Sequence, residues 1–146
     1  AGGYPCRCGA RGCLEAHAGS YGLERTVRDL LAERPRSRSR LRGAAFTPKD
    51  VSLAAAGGDA LAAAAWRRVG RALGIGVVNL VYAFNPSAVV FCGGLSRAGR
   101  LFLDEVRVAA GAESFRGPFG LLRLAVARRL DLGAVGAAVY ALERDG

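Results

Sequence analysis

No stretch of this 146-residue sequence stays apolar for the roughly 20 residues that a membrane-spanning helix requires, which excludes a helical membrane protein. Histidine and lysine occur once each, at His17 and Lys49, and there are only four cysteines. So few cysteines, with no signal peptide ahead of them, make a poor disulfide framework and point to a soluble, cytoplasmic protein. Internal repeats and low-complexity tails are missing too, which excludes repeat architectures. What is present is 51% hydrophobic residues, enough to bury one packed domain. The net charge of +9 is carried almost wholly by arginine. Such a balance can serve nucleic-acid binding, but arginine in place of lysine beside abundant alanine and glycine equally fits a GC-rich coding bias. Five arginines alternate through RPRSRSRLR, Arg34 to Arg42, where Pro35 and two serines break any helical stripe. The segment reads as a solvated loop rather than a phosphate-binding arm.

Three of the four cysteines stand close together in YPCRCGARGCLEAHAGS. Cys6, Cys8 and Cys13 form a Cys-x-Cys-x4-Cys cluster, and thiolates at that spacing suit zinc, which takes four ligands in a closed tetrahedral site. Gly9 and Gly12 fall between them, where a tight knuckle needs positive φ. Three ligands leave one vacancy. His17, one helical turn beyond Cys13, can reach the same metal, or the fourth ligand lies upstream of residue 1.

Further along, YGLERTVRDLLAER carries Leu23, Val27, Leu30 and Leu31 at helical spacing, with Ser20 as the expected N-cap. Thr47, Pro48 and Asp50 spell a helix start that should run to Gly57-Gly58, and Asp59 caps a longer helix ending before Pro86. Gly70, Gly74 and Gly76 inside that helix each cost about 1 kcal/mol against alanine, which predicts close packing against a neighbouring element. SAVVFCGGLSRAG reads as a buried strand, a tight turn and a helix start. Gly93 and Gly94 would let a ligand approach the backbone at the strand's carboxyl end. LFLDEVRVAA predicts a helix, LLRLAVARRL a strand, and GAVGAAVYALER a closing helix whose small residues suit tight packing.

In this order, CRCGARGCLE, GIGVVNLVYAFNP, AVVFCGGLSRAG and GAVGAA resemble the C-terminal half of the ROK family of repressors, open reading frames and sugar kinases, over residues 5–142. The resemblance implies an α/β fold of the actin-like ATPase and hexokinase (ribonuclease H-like) type. Residues 1–20 would be a zinc- and sugar-binding loop, 21–84 a helical region and 85–146 an α/β core on the nucleotide side. It implies structural zinc on Cys6, Cys8 and Cys13, with the fourth ligand a histidine upstream. Glu15 is expected to accept hydrogen bonds from sugar hydroxyls, and Gly93, Gly94, Leu95 and Ser96 to lie against the adenosine of ATP, with Mg²⁺ on the phosphates. The family's catalytic aspartate and phosphate-binding turn belong to the N-terminal half. The expectation is therefore a glucose-type sugar kinase, as a homodimer, of which this chain is the C-terminal half and inactive alone. The alternative is the effector domain of a sugar-sensing repressor that binds DNA through another domain, or an inactive fragment. Regulators often carry tryptophan where Leu14 stands.

Overall fold

A computed structural model describes residues 3–112, 120–128 and 131–144. A short helix, α1 (Leu14–Ala18), turns at Gly19 into α2 (Ser20–Glu33). Leu23, Val27 and Leu30 of α2 are buried, as their spacing predicts. The N-cap is Gly19 and not Ser20, which is the first helical residue and caps nothing. The elbow explains the shift, because a Cβ at position 19 would lie 2.6 Å from the Glu15 carbonyl oxygen.

The arginine-rich loop after α2 is stitched down rather than free. Arg42 donates to the carbonyls of Leu31 (3.2 Å) and Arg34 (2.8 Å), satisfying acceptors that the helix end leaves open. Helix α3 (Pro48–Ala56) begins in a capping box, with the Thr47 hydroxyl facing the Asp50 amide and the Asp50 carboxylate accepting from the Thr47 amide at 2.8 Å. Asp59 starts α4 (Ala60–Phe84), accepting from the amides of Leu61 (3.0 Å) and Ala62 (3.1 Å). Its other oxygen accepts from the Ser39 hydroxyl and the Arg40 amide, both at 2.8 Å. One buried carboxylate thus fastens the loop to the long helix. Burial pushes the Asp59 carboxyl up, but these four hydrogen bonds outweigh it and hold it below the ordinary aspartate value.

Helix α4 is the spine. Leu61, Ala65, Trp66, Val69, Val77 and Val81 are buried along it. Strand β1 (Ala88–Phe91), a 3-10 turn over Gly94–Ala98, α5 (Gly99–Ala112) and β2 (Arg123–Val126) follow. The strands pair in parallel, Ala88 with Arg123 through Phe91 with Val126, so β1, α5 and β2 form a βαβ unit. Arg129 and Leu130, at the end of the segment read as the second strand, lie outside the described residues. Helix α5 lies along α4, and the glycines of α4 allow it. A Cβ on Gly70 would come within 2.8 Å of Glu105 Cβ and of the Phe102 carbonyl oxygen. On Gly74 it would lie 2.6 Å from Ala109 Cβ. Gly76 faces Leu14 of α1 in the same way, at 2.8 Å.

Two further expectations fail. Strand β1 is only half-buried, with Val90 52% exposed, because one face of the two-stranded sheet has no layer over it among the described residues. The closing helix, α6 (Leu132–Arg144), does not use its small residues for tight packing. Its described side chains are exposed, including Val139 and Leu142.

Candidate functional site: a thiol knuckle beside an open cleft

The knuckle is built from local backbone bonds. Pro5 and Arg11 form an antiparallel bridge, the Cys6 amide donates to the Ala10 carbonyl at 2.8 Å, and the Gly12 amide donates to Tyr4 at 2.8 Å. Gly9 and Gly12 take φ of +90° and +78°, as a turn this tight requires. Helix α2 holds it from behind: Arg25 donates to the Pro5 carbonyl at 3.1 Å, and the Tyr4 hydroxyl donates to Asp29. Burial, with that hydrogen bond after it, raises the Tyr4 phenol above its usual range.

The sulfur atoms of Cys6, Cys8 and Cys13 come within 4.8 Å of one another, and Cys8 and Cys13 stand 3.6 Å apart. Thiolates about 2.3 Å from a tetrahedral metal are about 3.8 Å from each other, close to the Cys8–Cys13 separation, so small side-chain movements would bring the triangle to the size that zinc needs. Its acid–base behaviour points the same way. Hydrogen bonding to Cys8, from the backbone foremost, and to the Tyr21 hydroxyl lowers Cys6 to about 7. Hydrogen bonds with the other two sulfurs, Cys8 foremost, raise Cys13 to about 11. Three thiols sharing few protons release one easily and keep the last, and a cation among them removes that obstacle. Thiolate donors, spacing and electrostatics all fit zinc. His17 is not part of the cluster. Its ring stacks on Tyr4 with centroids 4.8 Å apart.

Beside the knuckle lies an open cleft of about 690 Å³. Glu15, two residues beyond Cys13, lies on one side, where α1 turns into α2. Pro48, Lys49, Ser52 and Leu53 of α3 line another, and Cys92, Gly94, Leu95 and Arg97 follow from the end of β1. The structure therefore brings together Glu15, Gly94 and Leu95. Ser96 is turned inward: it is buried, and its hydroxyl donates to the Gly93 carbonyl at 2.7 Å. Gly93 is not among the lining residues, but its φ of +92° makes the turn that presents Gly94. A Cβ at Gly94 would meet no protein atom within 4 Å, so its backbone is open to a ligand.

Lys49, Ser52 and Arg97 were not marked by sequence reasoning. Lys49 and Arg97 take part in no ion pair among the described residues, and they add positive charge to the cleft that Glu15 also lines. For Lys49 a signal existed, since it is the single lysine in an arginine-rich chain.

The sequence and the architecture have relatives. A glucokinase of Halalkalibacterium halodurans is 36% identical over 125 residues, 77% of this chain and 38% of that protein. A xylose repressor of Caldicellulosiruptor bescii is 33% identical over 132 residues, covering 89% of this chain and 33% of the repressor. Among solved structures, a ROK family glucokinase from Streptomyces griseus in complex with glucose and AMPPNP superposes with a TM-score of 0.82. It is 31% identical, over 99% of this chain and 48% of that one. The chain thus spans between a third and a half of the length of these relatives. The α/β fold is that of the ROK sugar kinases. The ROK family model matches residues 1–144, and the chain belongs to the ROK family.

Proposed function

We propose that this chain is the sugar- and adenosine-binding part of an ATP-dependent hexose kinase, with glucose as the acceptor. The observation that carries the reading is the convergence of Glu15 with Gly94 and Leu95 on one cleft of about 690 Å³, a volume within the usual range for small-molecule sites. In this reading the Glu15 carboxylate accepts hydrogen bonds from two adjacent sugar hydroxyls and fixes their orientation. The bare backbone at Gly94, with the Leu95 side chain, offers a flat apolar strip to a purine and ribose. Lys49 and Arg97 offset the charge of the phosphates, and Mg²⁺ bound to ATP supplies the remaining neutralisation. Cys6, Cys8 and Cys13 hold zinc, which freezes the knuckle and with it the first turn of α1. Zinc here positions Glu15 and takes no part in transfer. The setting is the cytoplasm, where thiols stay reduced and ATP is at hand, and the assembly is a homodimer.

The xylose repressor, which matches 89% of this chain, supports a second reading, in which the same cleft senses a sugar without phosphoryl transfer. Nucleotide binding separates the two. Calorimetric titration of glucose and of AMPPNP into the chain is expected to show both ligands bound in the kinase reading and the sugar alone in the sensor reading. Glu15→Gln removes charge-assisted hydrogen bonds worth about 1.5–3 kcal/mol each and lowers glucose affinity about tenfold or more, with AMPPNP affinity unchanged. Gly94→Val, which has room to fold, does the reverse. Unchanged glucose affinity in Glu15→Gln would remove the sugar-site assignment from both readings.

A further inference from the structure

Away from the cleft, Arg34, Arg67, Arg68 and Arg71 line a hollow of about 290 Å³ with Ala64 and Glu105. Arg67, Arg68 and Arg71 lie on one exposed strip of α4, and Arg34 stands just past the end of α2. Like charges one helical turn apart, as at Arg67 and Arg71, destabilise a helix unless something offsets them. The offset within the protein is partial. Arg68 is held by both oxygens of Glu33, at 3.0 and 2.5 Å, and Arg71 reaches Glu105 at 3.7 Å. Arg34 and Arg67 have no ion pair among the described residues. Arg68 and Arg71 are thus offset by Glu33 and Glu105, with Asp29 near enough to act on Arg68, while Arg34 and Arg67 carry charges that no ion pair offsets.

Part of the wall is also fixed in place. The Arg34 carbonyl accepts from Arg42 at 2.8 Å, which ties the end of α2 to the arginine-rich loop. The Glu33 fork holds Arg68 from the outside, which raises its already high basicity. Planar guanidinium forks with free N–H groups, set around a space of this size, match the oxygens of a tetrahedral oxyanion.

We propose that this hollow is a phosphate-binding site, separate from the cleft, for free phosphate or the phosphate group of a small monoester. Arg34 and Arg67 supply the unpaired charges, and Arg68 and Arg71 the preset rim. A nucleic-acid backbone is the less favoured occupant, because the four arginines border one hollow of about 290 Å³, room for a single phosphate group.

Titration calorimetry of inorganic phosphate into the whole chain at low ionic strength tests the site, with glycerol phosphate, a monoester without a sugar, and a short DNA duplex as parallel arms. The expected result is one phosphate per chain, weakened as salt is raised. The double variant Arg34→Gln/Arg67→Gln should lose about tenfold or more in affinity while melting as the wild type does, and Arg100→Gln, on the exposed face of α5 and in neither cavity, should bind phosphate as the wild type does. Glycerol phosphate binding more tightly than phosphate would identify a monoester as the ligand, and equal binding the free anion. No phosphate binding at low salt, unchanged affinity in the double variant, loss in Arg100→Gln, or binding of the duplex alone would overturn the proposal. The cleft titrations with glucose and AMPPNP do not depend on this outcome.

Discussion

Replacing Gly74 by alanine tests how the spine carries the cleft. By intrinsic propensity the change should stabilise α4 by about 1 kcal/mol. The packing opposes it: the new methyl carbon would sit 2.6 Å from Ala109 Cβ, 3.0 Å from the Val106 carbonyl oxygen and 3.2 Å from the Ala110 amide nitrogen. Two of those three atoms are backbone, so no side-chain rotation relieves them, and α5 as a whole must move outward by about 1 Å to restore ordinary contact. Overpacking of this kind costs about 1–3 kcal/mol, and backbone obstruction places it at the upper end, leaving a net loss of about 1–2 kcal/mol. For a chain of this size that lowers the melting midpoint by about 3–8 °C. Gly136→Ala in α6 is the matched control, because no atom lies within 4 Å of its added carbon, and it should not lower the midpoint. Helix α5 follows directly on the 3-10 turn that carries Gly94 and Leu95, so Gly74→Ala should also weaken AMPPNP more than glucose. Urea titrations of both variants at constant m-value measure the difference. A Gly74→Ala protein as stable as Gly136→Ala would refute the close-packing account of the α4 glycines.

Metal analysis of protein purified without chelators should find one zinc per chain, lost in Cys6→Ser/Cys8→Ser; retention should fall as pH is lowered, because protons compete for the thiolates. Zinc retained in full by the double variant would place the metal elsewhere. Asp59 is held below its ordinary value in the fold, so its contribution is present above the unfolded pKa of about 3.9 and is lost as pH falls further through the folded value. Asp59→Ala should cost about 1–2 kcal/mol at neutral pH and flatten the acid limb of a stability-against-pH curve; a variant as stable as the parent at pH 7 would mean that the cap and the loop tether contribute nothing.

Reading the sequence succeeded where the information is local. The Thr47 box, the Asp59 cap and the positive φ at Gly9 and Gly12 each depend on atoms within a few residues, and all stand as their residue types require. It failed where a partner had to be supplied from elsewhere in the fold. Ser20 has the right chemistry for a cap, but the approach of residue 19 to the Glu15 carbonyl admits only glycine and moves the helix start by one residue. The small residues of α6 record a helix that can approach another surface, and a stripe of that kind does not say which surface. The cleft shows both sides of this. Gly93-Gly94 after a strand marks one wall, because the turn and the strand are local. That Lys49 and Ser52 line the same cleft as Glu15 depends on how α3 and α1 each pack on α4, which no spacing along the chain encodes. Glu15 itself, by composition alone, is one glutamate at a helix start, where the dipole would account for it. Its position beside a cleft that also holds two unpaired cations and a bare backbone strip is what supports the proposal that it is a ligand rather than a cap. A helix-start role needs only α1, a helix of five residues, and would leave the neighbouring charges without a purpose.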